Sequence, residues 1–312
     1  MYDLSNFVSR YSRFVNLGIV ADRVAPSFLR DFVARWLGRL ASPYRLHAGR
    51  IVSAMQTGLG LSAKDSRSSW RRWRESHGQV CLTVLTYPRW TPEILENGLV
   101  SSDLALLRRA ASTGGLVLTY HSHHQNSLCS LFGLAGAKIS VLAASEESSP
   151  LFPAIGNFIH RINRGSAMHF GGGDYLFTDN LRSLVKVVKA EFDAGALIAS
   201  LCDFSAGSEA YAFLGRQIAP PKGAITLALK QHVPIYTAIL YGGCGNKPVL
   251  RMQEIDRTYG EQGVILEYLE FLTKVVKEAP WAWQGWDWFL DMPPLSTAVE
   301  VKAFRSEITK GE

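Results

Sequence analysis

The sequence predicts an α/β protein, an αβα sandwich with a mainly parallel sheet and an N-terminal helical layer. Three observations carry this. From about residue 100, short apolar runs alternate with segments of helical period. The runs are continuously apolar, which predicts strands buried on both faces, as in a parallel sheet covered by helices. Before that point the chain reads as helices. The expected division is a basic helical extension over residues 1–78 and an α/β domain over 79–312.

The elements follow in order. Phe28, Phe32, Trp36 and Leu40 recur at spacing four, with Arg30, Arg35 and Arg39 on other faces. This predicts an amphipathic helix ending before Pro43. Its apolar stripe either covers the sheet or lies on a membrane surface. Asp65–His77, with Trp70 and Trp73, is a second basic helix, with His77-Gly78 as its stop. Ser101–Ser112 is a helix capped by Ser101 or Ser102 and closed by Gly114-Gly115. Strands are expected at Leu116–Tyr120, Lys138–Ala143, Met168–Phe170, Ala196–Leu201, Pro234–Leu240 and Val249–Met252. Helices are expected between them at Ser127–Leu134, Pro150–Asn163, Asn180–Asp193 and Lys222–Gln231. A long amphipathic helix follows at Gly263–Lys277.

Composition bounds the function. The chain has 312 residues, 47% of them hydrophobic and 19% charged, enough for a large core and unlike a disordered chain. Cys81, Cys129, Cys202 and Cys244 are scattered without a CxxC spacing, which points to a reduced, cytoplasmic setting. Met1–Arg13 lacks the apolar core of a signal peptide, and no apolar run reaches the length of a membrane span. Residues 1–75 carry 13 Lys/Arg against 5 Asp/Glu, and the rest carries 20 against 22. A basic N-terminal third suits an anionic membrane or an acidic carrier protein. Nucleic acid is not an expected partner, because no zinc-finger spacing or RNP-type motif occurs.

Open α/β sheets bind ligands at the carboxyl ends of their strands. One strand runs into the cluster His121, His123 and His124; another runs into Asp203. Three histidines at a single strand end present ligands to a metal poorly, so no metal is expected.

These residues carry a resemblance. The helix ending in glycine and the apolar strand that runs into His121 match one motif. Arg182-Ser183-Leu184 followed by Ala194–Asp203 match a second, Phe213–Gly223 with Arg216 a third, and the Trp-rich run Pro280–Trp288 a fourth. In this order they resemble the bacterial lipid A late acyltransferase family, within the lysophospholipid acyltransferase-like superfamily, over about residues 50–290. The resemblance implies a sheet-centred acyltransferase and an acyl thioester donor, either an acyl carrier protein or a CoA thioester, with no metal or other cofactor. The acceptor would be an amine or hydroxyl of a small molecule in a biosynthetic pathway. The expected location is cytoplasmic, with peripheral contact to the inner face of the membrane left open.

Acyl transfer needs a base for the acceptor proton and donors for the oxyanion. His121 is the candidate general base. The family has an acid five residues on, and this chain has Asn126. Three readings stay open: another acid, Asp203 first, supports His121; the acceptor is easy to activate; or the chain does other histidine-dependent chemistry or only binds. His121, Asn126 and Asp203 are therefore the candidate catalytic residues. His123, His124, Arg161, Arg164 and Arg216 are the candidate substrate-binding residues. Gly171–Asp174 is either a turn or a phosphate cradle. Trp281, Trp283, Trp286 and Trp288 either belong to the core or line an acyl pocket.

Overall fold

A computed structural model describes residues 4–24, 29–83, 90–144, 152–177, 181–243 and 247–295. Phe28 and Cys244 lie outside the described residues. Four helices come first: α1 (Leu4–Val24), α2 (Arg30–Ala41), α3 (Ala48–Leu59) and α4 (Ala63–Thr83). The short α5 (Glu93–Asn97) leads into α6 (Leu104–Thr113), β1 (Gly115–Thr119), α7 (Gln125–Leu134), β2 (Ile139–Ala143), α8 (Phe152–Ala167), β3 (Tyr175–Phe177), α9 (Leu181–Asp193) and β4 (Leu197–Leu201). A small hairpin follows, β5 (Tyr211–Phe213) and β6 (Arg216–Ile218), then α10 (Gly223–Lys230), β7 (Ile235–Gly242), β8 (Pro248–Ile255), α11 (Gly260–Glu278) and a Trp-rich segment of short 3-10 turns from Pro280 to Asp291.

Six strands form one sheet in the order β3-β2-β4-β1-β7-β8. All neighbours are parallel except β7 and β8, which form an antiparallel edge. Alternate residues serve opposite faces. Leu116, Leu118, Ile198 and Ile239 join one core with α4, α10, α11 and the Trp-rich C-terminal segment. Val117, Leu197, Ala199 and Ala238 join a second core with α6 and α7. The molecule is thus an αβα sandwich. The N-terminal helices pack on it through Ile51, Met55 and Trp73. Burial of each such side chain contributes about 1.5–3 kcal/mol.

β1 lies in the middle of the sheet, and its entry is tight. Gly114 and Gly115 have φ of +71° and +121°, and a Cβ on either would overlap the carbonyl of Gly195 or Pro234. Only glycine lets α6 turn into the strand at this approach.

Several expectations need correction. The helix containing Trp70 and Trp73 does not stop at His77-Gly78 but runs on to Thr83. Gly78 is a crossing point instead: its Cα faces Ala34 and Gly38 of α2, where a Cβ would overlap the Ala34 carbonyl. Asp103, not Ser101 or Ser102, occupies the N-cap position of α6; its carboxylate accepts the Met252 N–H at 2.9 Å. Met168–Phe170 forms a turn rather than a strand, and the edge strand is Tyr175–Phe177. The Gly171–Asp174 segment is a close-packed turn, since Cβ atoms on Gly171 and Gly173 would overlap the carbonyls of Ala137 and Ile139. The stripe Phe32, Trp36 and Leu40 does not cover the sheet. Those side chains are exposed, and α2 buries Ala34, Leu37 and Gly38.

Candidate active site

β1 and β4 pair in register, with Thr119 opposite Leu201. Two residues further along each strand, this register sets His121 beside Asp203. The Asp203 carboxylate is fully buried. Its Oδ1 lies 2.7 Å from His121 Nδ1, and its Oδ2 accepts the His121 backbone N–H at 2.9 Å and the Trp283 indole N–H at 2.6 Å. Three donors on one carboxylate hold it in place and offset its desolvation.

The histidine segment is anchored on every side. Gln284 N–H donates to the His121 carbonyl at 2.8 Å. Tyr120 donates to the Tyr268 carbonyl at 2.6 Å, and Tyr268 donates to the Thr119 carbonyl at 2.7 Å. The Ser122 hydroxyl donates to the Leu240 carbonyl at 2.7 Å. A site so braced is preorganised rather than assembled on binding.

His121 keeps 28% of its side chain exposed, which sets it apart from the other two histidines. Its ring packs edge-on against Trp288 and Phe204, with centroids 5.2 and 5.9 Å away. Burial acts to lower its pKa, but the charge and hydrogen bond of Asp203 oppose this and the net result is a raised value. With Nδ1–H directed at Asp203, the proton-accepting nitrogen is Nε2. The Trp288 indole N–H is a buried donor without an acceptor among the described residues.

His123 and His124 are buried and lie among different neighbours. The His123 Nδ1 accepts from Gln284 Nε2 at 2.7 Å, and its ring packs on Trp73 and His77. Burial, with the neighbouring His77 and His124, holds its pKa well below the usual value. Burial lowers His124 to about 4, and neither of its ring nitrogens has a hydrogen-bond partner among the described residues. His124 lines a cavity of about 250 Å³ with Ser127, Gln79, Leu82 and Trp90, and His121 does not reach it. Among the described residues no group of three His, Cys, Asp or Glu is arranged to hold a metal ion.

Asn126 lies in the first turn of α7, and no hydrogen bond joins its side chain to His121. The carboxylate that meets the His121 ring is that of Asp203. Arg161 and Arg164 are exposed on α8, lining an open groove with Asn157, His160 and Met168 that contains no part of the His121–Asp203 pair. Arg216 is tied up in the fold: its Nη1 donates to the carbonyls of Leu290 and Met292, and its guanidinium faces Phe289. Cys202, beside Asp203, is buried, and burial pushes its thiol up to about 12, so it is no nucleophile at neutral pH.

Sequence reasoning offered Trp283 as core or acyl-pocket lining, not as a partner of Asp203, and assigned Gln284 no role. Both lie in the Trp-rich run after Pro280, and only their positions in the fold give them roles. Trp283 and Trp286 are core residues with no exposed surface.

Compared with protein-family models and with curated proteins, the chain finds no match. No helix among the described residues is long and apolar enough to cross a membrane.

Proposed function

We propose that the chain is an acyltransferase that moves an acyl group from a carrier-protein or CoA thioester to an amine or hydroxyl of a small acceptor. One observation carries this reading: a partly exposed histidine at a strand's carboxyl end has its Nδ1 on a fully buried carboxylate. That pairing leaves Nε2 as a base and stabilises the imidazolium that forms.

In the step we envisage, Nε2 of His121 takes the proton of the acceptor O–H or N–H as that atom attacks the thioester carbonyl. The tetrahedral intermediate collapses by breaking the C–S bond. The leaving thiolate takes the proton from His121, so the histidine ends neutral. The Trp288 indole, whose ring lies 5.2 Å from that of His121 and whose N–H is unspent among the described residues, is a donor for the oxyanion. Three buried thiols without disulfides, Cys81, Cys129 and Cys202, agree with a cytoplasmic location for this chemistry.

Incubating the purified chain with acyl-CoA or acyl carrier protein and panels of amines and alcohols tests the proposal, with thiol release as the readout. Transfer should occur and should vanish in His121→Ala. Absence of transfer across broad donors and acceptors would sink it. A binding-only role is favoured by one observation, that neither the cavity at His124 nor the groove on α8 is lined by His121. A ligand that co-purifies with the chain and is retained by His121→Ala would support that second role.

A further inference from the structure

We infer that the outer face of α1 and α2 docks on an anionic lipid bilayer, lying on its surface. This inference is independent of the chemistry at His121.

Each helix buries one side within the protein, α2 against α4, and α1 against α2, α4 and α8, where Ile155 and Phe158 join the same cluster. Phe14, Val15 and Gly18 of α1 meet Leu37 and Cys81, while Ala34 and Gly38 of α2 meet Gly78. Their opposite sides therefore face away from the body of the protein. On α1 that side carries Leu17, Val20 and Val24, exposed by 51, 56 and 72%. On α2 it carries Phe32, Trp36 and Leu40, exposed by 68, 55 and 49%. Both sets recur at three- and four-residue spacing, so each is a continuous stripe rather than scattered apolar residues. Exposed stripes of this kind mark interaction surfaces.

Charge selects the partner. Arg10, Arg13 and Arg23 stand exposed on α1, and none forms an ion pair with an acidic side chain among the described residues. Both acidic side chains of the described α1 and α2 are neutralised within the layer: Asp22 pairs with Arg30, and Asp31 pairs with Arg35. Among the described residues the outer face thus presents arginines without acidic partners beside aliphatic and aromatic side chains, and no unpaired carboxylate. Interfacial helices have this composition; their apolar side enters the headgroup boundary while long arginine side chains reach the phosphates. No described helix is apolar enough to span, so contact at the surface is the mode that fits.

The test is co-sedimentation of the full chain with vesicles of equimolar phosphatidylglycerol and phosphatidylcholine, against vesicles of phosphatidylcholine alone. Binding should favour the anionic vesicles and weaken as salt rises, because exposed charges are screened. Phe32→Ser with Trp36→Ser should lower binding at least about tenfold, since affinity scales with the apolar area inserted. Arg13→Gln with Arg23→Gln should weaken binding and flatten its salt dependence. All four side chains are exposed, so circular dichroism and thermal melting should match the unaltered chain. Absence of binding to anionic vesicles, or equal binding by the folded Phe32→Ser/Trp36→Ser variant, would overturn the inference. So would a dimer in light scattering that Trp36→Ser dissociates, which would place a second copy on this face.

Discussion

An Asp203→Asn substitution keeps the size of the buried side chain and removes its charge. The carboxylate now accepts two donors at Oδ2, the His121 and Trp283 N–H groups, and faces His121 Nδ1 through Oδ1. An amide offers one acceptor oxygen and one NH2 group. Placing the oxygen at the Oδ2 position keeps two hydrogen bonds and turns the NH2 toward Nδ1. That nitrogen must then accept, so the ring proton moves to Nε2. The alternative orientation aims the NH2 at two donors and leaves three groups unsatisfied, so it is disfavoured. The preferred arrangement still costs charge-assisted bonding, about 1–3 kcal/mol of stability. Its effect on the reaction is larger, because Nε2 can no longer take a proton. The corresponding swap in serine proteases lowers turnover by about four orders of magnitude through the same change of tautomer. Thiol-release kinetics on the folded variant, with ¹⁵N shifts of the His121 ring, would measure both consequences. Transfer within about tenfold of the unaltered chain would refute the reasoning, because it would mean that His121 needs no carboxylate.

Other predictions follow from the same geometry. Asn126→Ala should reduce transfer less than about tenfold, because Asp203 rather than Asn126 orients the ring; a loss as deep as that of Asp203→Asn would give the amide a role in binding substrate. Arg216→Ala should lower stability by about 1–3 kcal/mol in urea titrations through the lost bonds to Leu290 and Met292, leaving the KM for the thioester unchanged. The acid limb of kcat/KM should lie above the ordinary histidine value of about 6.5, since His121 must be neutral to act and Asp203 raises its pKa. The stability that this pair contributes is full below about pH 6.5 and is lost as pH rises through the raised value in the folded state. The buried histidines act in the opposite sense. Burial lowers His77 to about 3 and His124 to about 4, so each takes up a proton in the unfolded chain before the folded one. Stability should fall as pH drops below about 6.5, by roughly 3 kcal/mol at pH 4 from His77 alone; equal urea midpoints at pH 7 and pH 4.5 would contradict this.

Much of the fold was legible because its signals are local. Runs such as Leu116–Leu118 and Leu197–Ala199 are apolar without interruption, since both faces of a central parallel strand are covered. Glycines such as Gly114 and Gly195 mark where helices end, because their positive φ is costly for other residues. The signals that misled were also local. Gly78 reads as a helix stop, yet it serves a close helix crossing, and that need is visible only once α2 lies across α4.

His121 and Asp203 were each identifiable from the sequence as polar residues at the ends of apolar strands. Their partnership was not. It depends on β1 and β4 lying side by side in register, a pairing between residues 82 positions apart. The same holds for the three histidines. Adjacent in sequence, they looked like one cluster, but the backbone past β1 leaves His121 partly exposed and sends His123 and His124 into the interior. Residue type and period therefore determined the class of fold and the strand end where the chemistry should lie. Only tertiary structure decided which acid meets which base and which apolar stripe stays outside, because burial and hydrogen bonding join residues by their distance in space rather than by their order along the chain.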